Sequence, residues 1–461
     1  MKVKNRFKSI VLLFVLILAA GISNIVSAGD PDLFFDGPES SVNAPEVRAA
    51  AFDSALQPDG KIVLGGYASC GSSICFALVR YTADGALDSA FNGNGKVLTS
   101  FGPLNGYIID VEIQADGKIV AGGYVRNSGG SLKKFAMARY NADGSLDSTF
   151  GEGGRIQADF GAEWSEIKAP AIASDGKIVV AGTVGRLAAV VRYNTDGTLD
   201  NSFDGDGVFI YGKSPLINAV LIQPDGKIVF AGCRTVGVYT SEYMTARLNE
   251  NGSFDTSFNG TGLAPAPTTA QGSYVAFALA LQPDGKLLVS GYWYSYYAGI
   301  YRYNPDGTLD STFGANGISV VYSNPNFHKI VIQPDGKIML AAGNYQLLSG
   351  RPGFLVIRLN PNGTVDQQIN ASGMLITALG KGYDVATGVV MQPNGRVIVT
   401  GYSGGSTVER FAAIAYTPEA QLDAAFGNNG KVLTAIGYPA GPANGRVLPE
   451  RVKTGAVTGS K

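Results

Sequence analysis

One pentapeptide, Gln-Pro-Asp-Gly-Lys, governs what this chain can fold into. It stands complete at 57–61 and returns with small edits around Gly117, Gly176, Gly226, Gly285, Gly336 and Gly395, at intervals of roughly 50 to 60 residues. Proline presets φ for the second residue of a type I turn, and aspartate bonds neighbouring amides. Glycine takes the left-handed conformation that returns the chain antiparallel. The flanks, such as Val111-Glu112-Ile113-Gln114 and Lys118-Ile119-Val120-Ala121, are rich in β-formers and too short for helices. Each copy predicts a β-hairpin.

A second module follows each hairpin. Phe76 to Gly85 is a strand running into another turn, with counterparts ending at Gly144, Gly197, Gly252, Gly307 and Gly363 and a degenerate version at Thr417-Pro418-Glu419-Ala420. Next comes Leu87-Asp88-Ser89-Ala90-Phe91, matched by Asp147/Phe150, Asp200/Phe203, Asp255/Phe258, Asp310/Phe313, Asp366/Ile369 and Asp423/Phe426. A glycine-rich step and a last strand, Lys96-Val97-Leu98-Thr99 in the first copy, close the unit. Four short antiparallel strands, repeated in tandem, leave each sheet with an apolar face that only a neighbouring sheet can cover. The expectation is an all-β fold, a β-propeller of seven four-stranded blades. The alternative is eight blades, the last split between Asp32–Gly37 and Pro442–Val447. The gap from Gly430 to Gly445 is short for another first strand, which favours seven.

Tandem units built from Gln-Pro-Asp-Gly-Lys-Ile-Val, Arg-Tyr-Asn-x-Asp-Gly-x-Leu-Asp and Phe-Gly-x-x-Gly resemble the bacterial delta-60 repeat family, over essentially everything between Asp30 and Gly437. The resemblance implies a propeller-like fold and brings no reaction with it.

The N-terminus has a different character. Lys2, Lys4, Arg6 and Lys8 precede an apolar run from Ile10 to Ile22, and Val26-Ser27-Ala28 is a small-residue cleavage site before Gly29. This predicts a signal peptide over 1–28, cut between Ala28 and Gly29, and a secreted or periplasmic, envelope-associated protein. A retained membrane anchor is the alternative, against which the run is short. No cysteine at the cut provides a lipid anchor, and no later stretch is apolar enough to span a bilayer. The expected propeller occupies 29–437 and a flexible tail 438–461.

Lysine plus arginine number 36 against 37 acids, and loss of the leader removes four of the cations. No basic stripe remains, so nucleic-acid binding lacks an electrostatic basis. A single histidine, His328, excludes a histidine-based triad and a His/Cys zinc site. Asp204-Gly205-Asp206-Gly207 lacks the spacing and terminal glutamate of an EF-hand and is expected to be turn chemistry. Nothing points to a cofactor or a metal. Cys70 and Cys75 are spaced to close a small disulfide loop in an oxidising compartment, and Cys233 is expected to be a buried thiol.

Strand alternation places the two Asp-Gly turns of every unit on one rim and the loops between second and third strands, with the links between blades, on the other. That second rim varies in length and residue type, and it is the candidate binding face. It carries Trp293, Tyr294, Tyr296 and Tyr297, which depart from the repeat pattern, and Trp164 in an inter-blade link. These aromatics suit a sugar ring or a partner's apolar patch, or else cap the blade ends. The arginine before each third-strand Tyr or Leu is expected to pair with a turn aspartate. The seventh unit, with Ala415 for that arginine and Asn394 for the first-turn aspartate, suggests the first-turn acid as the partner. The resulting expectation is a monomeric, secreted, non-enzymatic scaffold that binds an extracellular or envelope protein or glycan. The alternatives are a carboxylate-based glycan hydrolase or lyase and a structural module of a surface protein.

Overall fold

The computed structural model describes residues 48–438, apart from 186, 213–215, 238–239, 267–273, 294–296, 323–325, 344–352, 371, 381 and 405–408. The cleavage site at Ala28 and Gly29, the segment before Arg48 and the tail beyond Tyr438 lie outside these residues. The described residues contain twenty-seven strands and no helix. They form seven antiparallel blades, each from consecutive strands A to D. Blade 1 is Ala49–Leu56, Ile62–Cys70, Ser73–Tyr81 and Lys96–Thr99. The A strands of blades 2 to 7 are Asn105–Ile113, Ser165–Ile172, Leu216–Ile222, Tyr274–Leu281, Asn326–Ile332 and Tyr383–Met391. Each A strand touches the next, and that of blade 7 touches that of blade 1, so the A strands line the axis. In blade 4 the fourth strand is reduced to one bridge, Ala246 to Leu263.

The A–B turn forms as its residues dictate. Gly60 donates to Gln57 O at 2.9 Å, Gln57 donates to Lys61 O at 2.8 Å, and Gly60 has φ 84°. The Gln side chain adds a second function: Gln57, Gln114 and Gln392 Nε2 donate to the carbonyls of Gly117, Gly176 and Gly60, the equivalent turns of the next blades. These turns therefore share a rim. Each A strand bulges where it meets strand B, between Ala51 and Asp53 in blade 1. The bulge brings the Ala50 carbonyl onto Gly66, where a Cβ would sit 1.8 Å from that oxygen. This is why a glycine precedes Tyr67.

The core lies between blades. Val63, Phe76 and Leu78 of blade 1 pack with Ile108, Val111 and Tyr140 of blade 2, and a matching cluster joins Ile62 and Tyr81 of blade 1 to Ile398, Phe411 and Phe426 of blade 7. Third-strand tyrosines reach the preceding blade's D strand: Tyr140 donates to Thr99 at 2.8 Å and Tyr81 to Thr434 at 2.6 Å.

The arginine pairing differs from the sequence expectation. Arg80 Nε donates to Asp88 Oδ2 at 2.8 Å, and Arg139, Arg192, Arg247, Arg302 and Arg358 bond Asp147, Asp200, Asp255, Asp310 and Asp366 in the same way. The partner is thus the Leu-Asp module and not the first-turn acid, which instead pairs with its own turn lysine, as Asp59 with Lys61 at 2.8 Å. The second guanidinium nitrogen crosses to the next blade, Arg247 Nη1 donating to Pro305 O at 2.7 Å and Arg358 Nη1 to Pro418 O at 2.8 Å. Each arginine is a clasp between blades. Blade 7 keeps the clasp by another route: Arg396, in the position of the turn lysine, donates to Asp423 Oδ2 at 2.6 Å and to Ala83 O of blade 1 at 3.1 Å.

Among the described residues the ring closes without a shared blade. Gly427 N donates to Asp84 O at 2.8 Å, repeating the contact of Asn92 N with Asp143 O between blades 1 and 2. Past the last strand, Tyr438 N donates to Ser69 O at 2.9 Å and Gly71 N to Tyr438 O at 3.3 Å. This backbone contact falls at the loop that the Cys70–Cys75 disulfide closes, with a Cα–Cα distance of 5.9 Å.

Candidate functional site

The variable rim is formed by the starts of the A strands and the ends of the B strands. In blade 5 the backbone pairs Trp293 with Tyr297 at the tip of a B–C hairpin. Tyr294 and Tyr296, and the side chains of Trp293 and Tyr297, lie outside the described residues, as does the His328 side chain.

The described aromatics of this rim form a belt elsewhere, over blades 7, 1 and 2. Ring centroids are 6.2 Å apart for Tyr383–Tyr402, 6.5 Å for Tyr402–Phe52, 5.5 Å for Phe52–Tyr67, 5.1 Å for Tyr67–Tyr107 and 5.0 Å for Tyr107–Tyr124. Two of these contacts cross blade boundaries, where rings fill the wedge between sheets. Tyr107 and Tyr124 are buried, Phe52, Tyr67 and Tyr402 half-buried, and Tyr383 is 40% exposed. Tyr67, Tyr124 and Tyr402 are pattern residues whose rings lie under the rim. Phe52 and Tyr107 are not obvious from the repeat, because a bulge residue and a strand's first turns read as ordinary apolar positions.

Trp164 extends the belt to blade 3 through a cation. Lys133 Nζ sits 4.4 Å from the centroids of both Tyr124 and Trp164. The same ammonium bonds Glu166 Oε2 at 3.0 Å, and Lys168 bonds Oε1 at 2.7 Å. Burial pushes the Glu166 carboxyl up, but Lys168 and Lys133 outweigh it and hold it below the usual carboxylate range. Trp164 is half-buried and fixed by this group.

A second cluster occupies the axis. The residue six positions ahead of the first-turn Asp or Asn is Asp53, Asp110, Ala169, Ala219, Ala278, Lys329 and Gly388 in blades 1 to 7. Lys329 of blade 6 reaches across the ring to bond Asp53 Oδ2 at 3.2 Å and Asp110 Oδ2 at 3.0 Å. Both aspartates are buried. Burial and the charge of Asp53 push the Asp110 carboxyl well above its ordinary value, against the pull of Lys329. Burial likewise raises Glu112 to about 7, with Lys329 opposing and Asp53 adding. Packing pulls the Lys329 ammonium down, but Asp110, Asp53 and Glu112 outweigh it and hold it well above the ordinary lysine range. The fixed spacing from the turn was a legible signal for this cluster, since a charge in a column of small residues stands out.

Other candidates resolve as structure. Asp204 adopts φ 49° and its amide donates to Asn251 O at 2.9 Å, while Asp206 Oδ1 accepts Val208 N at 2.9 Å, which is turn geometry. Cys233 is buried, and burial pushes its thiol up to about 11. Among the described residues no group of three or more His, Cys, Asp or Glu is arranged to hold a metal ion, and no helix is long and apolar enough to cross a membrane.

Residues 57–91, 114–150, 173–203, 223–258, 282–313 and 333–368 match the sequence model of a family described as "Domain of unknown function (DUF5122) beta-propeller". Six of the seven repeats match DUF5122. The seventh, outside the match, is the one that moves its clasp arginine from strand C to the turn. No curated protein matches the chain. Among solved structures, the chain is similar to the β-propeller domain of the Trilobed protease from Pyrococcus furiosus, with 11% identity, 81% of this chain and 94% of that chain covered, and a TM-score of 0.43. A Lactobacillus plantarum protein gives 15% identity, 68% and 83% coverage and a TM-score of 0.44. Sqt1 from Chaetomium thermophilum gives 10% identity, 77% and 94% coverage and a TM-score of 0.43.

Proposed function

We propose that this protein is a secreted or envelope propeller, without catalytic activity of its own, whose variable rim binds an extracellular protein or glycan. The observation that carries the reading is the aromatic belt from Tyr383 through Tyr402, Phe52, Tyr67 and Tyr107 to Tyr124, extended to Trp164 by Lys133. Rings held by their aromatic neighbours lose little freedom on contact with a sugar or an apolar patch. The leader at 1–28 supports export, with Gly29 as the expected first residue of the mature chain.

The carboxylate-based hydrolase or lyase has less to support it. The two acids on the axis, Asp53 and Asp110, are both buried and both tied to the Lys329 ammonium, whereas a glycosidase pair must flank a glycosidic bond. A glycan and surface-protein binding screen on the mature chain, repeated with Tyr383→Ala/Tyr402→Ala and with Trp293→Ala/Tyr297→Ala, tests the binding reading. The expected result is retention of a defined partner by the parent and weaker retention by at least one pair at unchanged melting temperature. Equal retention by both variants would remove the aromatic rim from the binding face.

A further inference from the structure

The axial cluster holds more acid than its one lysine can balance. Among the described residues, Asp53, Asp110 and Glu112 have Lys329 as their one cation, and the other charged inner-strand residues nearby are engaged elsewhere. Glu166 is held by Lys133 and Lys168, and Asp384 Oδ2 accepts Leu379 N at 2.7 Å. Lys329 bonds only the Oδ2 atoms of the two aspartates, while Asp53 Oδ2 also accepts Val111 N at 3.2 Å. The two Oδ1 atoms are buried and accept from no donor among the described residues. Two facing carboxyl groups can bond only if one carries a proton, and leaving both ionised and buried is costly.

We propose that Asp110 keeps its proton and donates it from Oδ1 to Asp53 Oδ1, while Lys329 bonds both Oδ2 atoms, so that a proton-dependent tie spans the axis from blade 6 to blades 1 and 2. The tie bypasses blade 7 and so spans the junction between the last blade and the first. Loss of the proton to water leaves two apposed carboxylates with one ammonium between them, and the repulsion loosens the inner strands of blades 1 and 2. The device responds to alkalinity: the native state binds one proton more than the unfolded chain, so stability falls as pH rises through the titration of the pair.

Infrared spectra of the mature protein test this through the carbonyl stretch of an un-ionised carboxylic acid. The band is expected near neutral pH and fades on alkalinisation. Glu112→Gln and His328→Gln, which remove the other neutral-range groups on these strands, keep it, and Asp110→Asn abolishes it. In the Glu112→Gln background the unfolding constant rises by up to about tenfold per pH unit from the ordinary carboxyl range up to the fade and levels off beyond it, and Asp110→Asn flattens that slope. Should Asp110→Asn not fold, Asp53→Asn serves instead, and the band then fades at lower pH because the neighbouring charge is gone. A spectrum without the band in the Glu112→Gln protein, or an unchanged band in both aspartate variants, overturns the proposal.

Discussion

Arg396 Nε lies 2.6 Å from Asp423 Oδ2, and through this bond the seventh blade holds the acid that strand-C arginines hold in the other six. The two positions for the arginine are interchangeable because the turn lysine already points at the same carboxylate, as Lys286 does at Asp310 at 3.0 Å. Replacing Arg396 by Met leaves Asp423 without this guanidinium and removes the link to Ala83, and is expected to cost about 1–3 kcal/mol. Adding Ala415→Arg should restore most of it. Urea unfolding of the two proteins measures both steps.

Acid should weaken the clasps together. Burial pushes Asp200, Asp255 and Asp310 up, but hydroxyl and amide hydrogen bonds from Ser202, Ser257 and Thr312, with Lys and Arg partners, outweigh it and hold them well below the usual range. A depressed carboxyl stabilises the fold above its unfolded value, and that contribution is lost as pH falls toward the folded one. Glu112, raised to about 7, acts in the opposite sense, its contribution being lost as pH rises through neutrality. Melting temperature against pH is therefore expected to peak at about pH 5, falling toward acid as the clasp carboxyls protonate and falling again up to about pH 7 as Glu112 ionises. A flat alkaline limb in Glu112→Gln/Asp110→Asn assigns that side to the axis.

Lys133 links the Tyr124 and Trp164 rings, and Glu166 retains Lys168 when it is removed. Lys133→Met is expected to cost about 1–3 kcal/mol, less than stripping a buried acid of every partner. Because the chain has two tryptophans, emission from a Trp293→Phe background reports Trp164 alone and should shift to the red as the ring loses its cation.

Reduction of Cys70–Cys75 should act beyond its small loop. Chain entropy for a ring of this size corresponds to about 2 kcal/mol. The loop is also where Tyr438 pairs with Ser69 and Gly71. Amide exchange at Gly71 and Tyr438 is expected to accelerate in Cys70→Ser/Cys75→Ser while exchange in blade 4 is unchanged. Uniform acceleration would assign the disulfide to global stability instead.

The repeat made the blades legible because turn chemistry is local: Gly60 and its counterparts need positive φ whatever surrounds them. The clasps were harder to read. Arg80 and Asp88 are eight residues apart, and only the fold of the C–D turn decides that the guanidinium meets this acid and not Asp59. The axial cluster depends on still longer range, since Lys329 and Asp110 meet only once the ring has closed. The aromatic belt was partly hidden for a related reason: the bulge at Phe52 changes which side of the strand a residue faces, and alternation alone does not register it.

Every blade is a single uninterrupted stretch of chain, joined to its neighbours by an arginine clasp that recurs at each boundary. Gain or loss of one repeat by gene duplication or deletion would cut no sheet, and the new neighbours would meet through the same arginine clasp. The circumference of such a molecule is therefore open to change one unit at a time, with the width of its axial channel following.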